Sequence, residues 1–140
     1  MHINIRAGFM AIVTAVSVTL YQCSGRNSVQ SLEGTWRMDS VYSYYNGFAF
    51  TRKDILDEPL QRYEPDGSLV MTLNEESRTF YFSMPVRDSL VHLAPDKSVI
   101  DKFAIIALDN DVLALKKSLN PVFKGPQQER YEVRYFSKVK

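Results

Sequence analysis

The chain has 140 residues, 45% of them apolar, with 17 Lys and Arg against 16 Asp and Glu and a single cysteine. That length fits one domain, and the near-neutral balance excludes a long-range electrostatic pull toward nucleic acid or an anionic membrane surface. One cysteine excludes an internal disulfide, so stability must rest on a packed core.

In chain order, Arg6 is the only charged side chain in the first 25 residues, and the apolar run Ala7 to Leu20 follows it. A basic start and about 14 apolar residues fit a signal peptide. A bilayer-spanning helix needs roughly 20. The run closes on Leu20-Tyr21-Gln22-Cys23. This resembles a bacterial lipoprotein signal, in which a Leu stands three places before a Cys that is cut at its N-side and lipidated. Tyr21 and Gln22 depart from the small residues usual between them. The resemblance implies a signal peptide over residues 1–22 and a lipid on Cys23 that attaches the chain to a membrane. The alternative is ordinary cleavage, with Cys23-Ser24-Gly25 read as a small-x-small site. Ser24 to Ser31 is small and polar and reads as a tether, which leaves residues 32–140 as the folded domain.

From Thr35 onward the dominant period is two, the strand period. Thr35 to Tyr42 alternates, with Trp36, Met38, Ser40 and Tyr42 on one face. The long connection Ser43–Pro59 follows. It holds Tyr44, Tyr45, Asn46-Gly47, Phe48 and Phe50, and Thr51-Arg52-Lys53-Asp54 reads as a cap before a short helical turn through Asp57. Leu60–Tyr63 is a short strand, Glu64-Pro65-Asp66-Gly67 is a turn with Pro and Gly at their preferred places, and Ser68–Leu73 leaves it. Asn74 to Ser77 turns the chain into Arg78–Met84. Leu90–Leu93 is short, and Val99–Leu108 is long and apolar. Asp109-Asn110 reads as a two-residue hairpin turn into Asp111–Lys117. Asn120 to Gln128 is a loop. The last strand, Glu129–Phe136, places Tyr131, Val133 and Tyr135 on one face. About eight strands joined mostly by short turns predict an all-β, up-and-down antiparallel sheet, and closing it into a barrel removes the exposed edges.

Gly34-Thr35-Trp36 at the start of the first strand resembles the G-x-W signature of lipocalins and the wider calycin group. The layout from Leu32 to Val139 is similar to short lipocalin-like lipoproteins of Gram-negative bacteria: a tether, "LEGTWRM", a "YEPDGSL" hairpin, a "LDNDVLAL" hairpin and a Tyr/Arg-rich last strand. The resemblance implies an eight-stranded barrel whose floor is closed by Trp36, with an Arg of the last strand across its ring. Arg134 and Arg130 are the two choices, and alternation does not decide between them. It implies a lipid-anchored protein of the cell envelope, at the outer membrane on its periplasmic side or surface.

Catalytic and metal chemistry are poorly provided for. His92 is the only histidine after the signal segment, and its place in a short strand reads as a surface or rim residue. No Cys/His set, calcium loop or phosphate-binding glycine loop is present, so no catalytic residue, metal or cofactor is expected. The aromatics are the candidates for binding. Tyr42, Tyr44, Phe48 and Phe50 would lie at the mouth of a barrel, and Met71, Phe82 and Phe103 inside it, around a small hydrophobic or amphipathic ligand. Met38, Leu69, Phe80, Ile105, Leu113, Tyr131 and Val133 are further interior candidates. The rival is a barrel filled by its own side chains, whose outer face or loops hold a protein partner in an envelope complex.

Overall fold

The computed structural model describes residues 28–53, 55–123, 125 and 128–140. The expected signal peptide over residues 1–22 and the lipidation site Cys23 lie outside the described residues. Residues Val29–Leu32 form a single helical turn, α1, and Ser28 caps it by accepting the Ser31 N–H on its side chain at 3.2 Å. The last residues of the segment read as a tether therefore belong to the fold, because Leu32 is fully buried in the core.

Nine strands follow: β1 Gly34–Tyr45, β2 Phe48–Lys53, β3 Leu60–Tyr63, β4 Ser68–Leu73, β5 Glu76–Ser83, β6 Ser89–Leu93, β7 Val99–Leu108, β8 Val112–Ser118 and β9 Arg130–Lys138. From β3 to β9 each strand pairs antiparallel with the next, and β1 pairs with both β3 and β9. The eight strands other than β2 thus close into an antiparallel barrel, as the turn spacing predicted. β2 lies outside the ring, hydrogen-bonded to the second half of β1. It replaces the helical turn expected in the first long connection. Asn46-Gly47 folds the chain straight back, so Phe48 to Lys53 complete a hairpin ladder before the expected cap at Thr51 is free to start a helix.

One end of the barrel is filled. Trp36, Tyr63, Leu69, Leu90, Leu113, Leu115 and Phe136 are fully buried there together with Leu32. Each such side chain contributes roughly 1.5–3 kcal/mol by leaving water. The Trp36 indole N–H donates to the Leu32 carbonyl at 2.8 Å, so the helical turn is tied to the floor and its last carbonyl does not go unpaired.

Three register shifts break the alternation, at Met38/Ser40 in β1, at His92/Leu93 between β6 and β7, and at Ile105/Ala107 in β7. The first has the largest effect. An extra residue in a strand sends every later side chain to the opposite face. Trp36 and Met38 point inward, opposite Lys138 and Phe136. Above the bulge Val41 and Ser43 point inward, opposite Arg134 and Glu132. Tyr42 and Tyr44 therefore face outward, opposite Val133 and Tyr131. This corrects the interior placement of Tyr42 and Tyr131, while Val133, on the same side of β9 as Tyr131, is nonetheless buried; it also inverts the face predicted for the last strand, since Phe136, Arg134 and Glu132 point in and Tyr135 points out.

Candidate functional site

The floor leaves only one end of the barrel for a ligand: the end formed by the β4–β5 tip, the start of β7 and the meeting of β1 and β9. The β4–β5 hairpin turns through Asn74 and Glu75, both at positive φ (50° and 68°). That tight turn keeps Leu73 opposite Glu76 and Met71 opposite Arg78. The inner face of the hairpin therefore carries Met71, Leu73 and Phe80 beside Glu76 and Arg78. With Pro59 from the connection before β3, these residues line a recess of about 470 Å³. Arg78 pairs with no carboxylate among the described residues.

Across the barrel, β7, β8 and β9 present charge. Lys117 forms an ion pair with Asp101, and Arg134 donates to Glu132 at 3.2 Å. Lys117 stands opposite Glu132 in the β8–β9 register, so the two pairs form one row of alternating sign. All four side chains are about three-quarters buried. Pairs in this position need their partners, because a lone charge so far from water costs several kcal/mol. A smaller recess of about 290 Å³ lies at the β1–β9 end of the mouth, lined by Ser43, Tyr44, Tyr45, Phe50 and Glu132 among others.

Below the charged row is a sealed polar layer. Tyr63 donates to the Gln61 side-chain carbonyl at 3.0 Å, and His92 Nε2 lies 2.8 Å from the same hydroxyl. His92 packs between Phe103 (ring centroids 5.0 Å apart) and Tyr63 (5.8 Å) and is 4% exposed. Its expected rim position is thus corrected, since its strand neighbours Val91 and Leu93 face the outside of the sheet. Burial pushes its pKa down to about 4. Arg134 and Lys117 add to the effect, and Asp101 opposes it. Burial likewise holds the Tyr63 phenol far above its ordinary range.

The predicted site residues divide among these layers. Met71 lines the larger recess. Phe82 and Phe103 are buried beneath the mouth, Phe82 edge-on to Tyr63 at 5.0 Å and Phe103 under the Arg134 guanidinium at 5.6 Å. Phe48 and Phe50 stand on β2 opposite Tyr45 and Ser43, on the face that continues the barrel interior. Tyr42 and Tyr44 join an outer aromatic patch, where Tyr44 stacks on Tyr131 at 4.9 Å and the Lys116 ammonium sits 4.0 Å from the Tyr131 ring.

Gly34 and Trp36 form the floor as expected, but the cation over the indole is Lys138, 5.0 Å away, and neither Arg134 nor Arg130. Lys138 is the register partner of Trp36, whereas Arg134 pairs higher up with Val41 and Arg130 sits at the rim beside Tyr45. Glu76, Arg78, Asp101, Lys117 and Glu132 were not singled out in the sequence. Their signal was parity: Lys117 is in phase with Leu113 and Leu115, and Glu132 with Phe136.

Among the described residues no group of three or more His, Cys, Asp or Glu is placed to hold a metal ion, and no helix is long and apolar enough to cross a membrane. No family model matches the chain, and neither does any curated protein or solved structure.

Proposed function

We propose that this chain is a non-enzymatic, lipocalin-like binding barrel of the bacterial cell envelope, anchored through a lipid on Cys23, and that it holds a small amphipathic molecule at its open end. The observation that carries the reading is the pairing of two unlike walls at one mouth. Met71, Leu73 and Phe80 offer carbon on one side. Asp101, Lys117, Glu132 and Arg134 offer paired charge on the other. A purely apolar ligand would leave the charged row without water and without new partners. A ligand with one apolar and one polar end satisfies both walls. Burying about 150 Å² of its carbon contributes about 4 kcal/mol, and the polar wall fixes its orientation. The burial of His92 supports a binding role over proton-transfer chemistry, because the imidazole is packed between Phe103 and Tyr63 rather than presented at the mouth.

The test is native mass spectrometry and solvent extraction of the purified protein, with displacement of a fluorescent fatty-acid analogue as the binding assay. A reproducible co-purifying amphiphile is expected, and Met71→Arg should weaken probe binding by about tenfold or more. Absence of any co-purifying molecule together with no probe uptake overturns the ligand reading. The anchor is tested separately. Cys23→Ser should move the protein out of the membrane fraction, and unchanged fractionation overturns lipidation.

A further inference from the structure

β2 is the one described strand outside the closed ring, and it pairs only with β1. Its hairpin closes on Tyr45 and Phe48 through Asn46 and Gly47, both at positive φ (45° and 92°). In a two-residue turn of this kind the closing pair is hydrogen-bonded. Asn46 donates its own N–H to the Glu129 carbonyl. The even-numbered residues of this part of β1 therefore bond to β9, and Tyr45, Ser43 and Val41 bond to β2. Bonded and non-bonded pairs alternate along an antiparallel ladder. The backbone groups of Phe48, Phe50 and Arg52 are thus engaged by β1. Those of Ala49, Thr51 and Lys53 point to the free edge.

A free edge is a template for another strand, and proteins guard such edges with charge, proline or a bulge. The guard on β2 is partial. Arg52 and Lys53 stand at one end, paired with no carboxylate among the described residues. At the other end Phe48 and Phe50 are 80% and 67% exposed. An added strand would satisfy the edge, cover both rings and bring its own charge to the basic end.

We propose that β2 takes an extended segment of a partner protein as an added antiparallel strand, with apolar side chains over Phe48 and Phe50 and acidic ones against Arg52 and Lys53. Charge selects this occupant over a second copy of the chain. Two β2 strands paired antiparallel about Thr51 would set Lys53 of each copy against Ala49 of the other and Arg52 against Phe50, leaving every cation without an anion. Strand addition here is independent of whether a small molecule fills the larger recess, which no β2 residue lines.

The test is a titration of the ¹⁵N-labelled full chain with the blocked hexapeptide Glu-Glu-Thr-Val-Thr-Val, read by amide shifts and hydrogen exchange. Saturable binding is expected, with exchange slowed about tenfold at the amides of Ala49, Thr51 and Lys53. The same peptide N-methylated at both threonines should bind about tenfold more weakly, as should one with lysines in place of its glutamates. Thr51→Pro removes an edge donor without touching the β1 ladder and should have the same effect. The N-methylated peptide makes that comparison without altering the protein. Strand addition is overturned by no saturable binding at about 5 mM peptide, by equal binding of the N-methylated peptide, or by shifts centred on Met71 and Phe80. A dimer that protects the same edge amides without peptide overturns it in favour of self-association.

Discussion

Gly34 and Lys138 together make the floor. Gly34 has φ 120°, a conformation that L side chains rarely adopt, and a Cβ there would lie 2.5 Å from Lys138 Cε. The lysine stem crosses bare backbone to bring its ammonium over Trp36. Gly34→Ala should therefore cost about 1–3 kcal/mol in urea melts, most of it from the backbone. The flexible lysine can move away, so the double variant Gly34→Ala/Lys138→Ala should recover less than half of the loss. Full recovery would mean that the clash dominates and the strain does not. His92 gives a pH signature at the same scale. Its folded-state pKa is about 4 against an ordinary 6.5, so between those values the unfolded chain binds a proton that the folded chain refuses. This contribution is complete above pH 6.5 and declines as pH falls toward 4, by at most about 3 kcal/mol. His92→Gln should flatten the slope of urea midpoint against pH across that window. An unchanged slope would place its origin in other groups.

At the level of elements, the turns were legible and the faces were not. Asn46-Gly47 and Glu64-Pro65-Asp66-Gly67 turn the chain where their residue types predict, because positive φ and side-chain-to-backbone bonds are local demands, whereas the turn expected over Asn74 to Ser77 closes at Glu75 and β5 starts at Glu76. The bulge between Met38 and Ser40 answers to no such demand. It arises where β1 must pair with β9 along its whole length while changing neighbour from β3 to β2, and that is a tertiary fact. Hydrophobicity misled on β9, where Tyr131, Val133 and Tyr135 look like a core face. The barrel instead sets Tyr131 in an outer patch with Tyr42 and Tyr44, exposes Tyr135, and turns Glu132 and Arg134 inward, where Lys117 and Asp101 complete the row. The Met71 side of the mouth was therefore readable from the sequence, and the charged side was visible only as a parity that apolar residues outweighed. The β1–β2 hairpin gives the element-scale prediction. Asn46 combines φ 45° with a side-chain oxygen that accepts the Glu129 N–H at 2.8 Å. Asn46→Ala should lose about 1–2 kcal/mol, since both the left-handed geometry and the bond to β9 go. Asn46→Gly keeps the geometry and should lose less in thermal melts.

Across the whole molecule the two ends of the barrel differ in how completely they are tied. At the floor Trp36, Leu113, Leu115 and Phe136 are buried together, and β1, β8 and β9 are paired continuously around them. Toward the mouth the ladder thins: β6 pairs with β5 only at Tyr81, Phe82 and Ser83, so the stretch of β5 from Glu76 to Phe80 leans on β4 alone, and β2 leans on β1 alone. Opening either hairpin exposes little that was buried, whereas opening the floor exposes Trp36, Leu113, Leu115 and Phe136 together. Hydrogen exchange should divide accordingly. The bonded amides of Arg78, Phe80, Phe48 and Phe50 should exchange through local openings that barely respond to denaturant. The amides of Trp36, Leu115 and Phe136 should exchange only with global unfolding and carry its full denaturant slope. Such a division suits a binding mouth, because a ligand can tighten the β4–β5 hairpin while the floor keeps the barrel closed. A molecule bound in the larger recess should then slow Arg78 and Phe80 directly, and slow the floor only by the overall gain in stability. If Arg78 and Leu115 share one denaturant slope in the free protein, the barrel opens as a single unit and its mouth has no independent freedom to adapt.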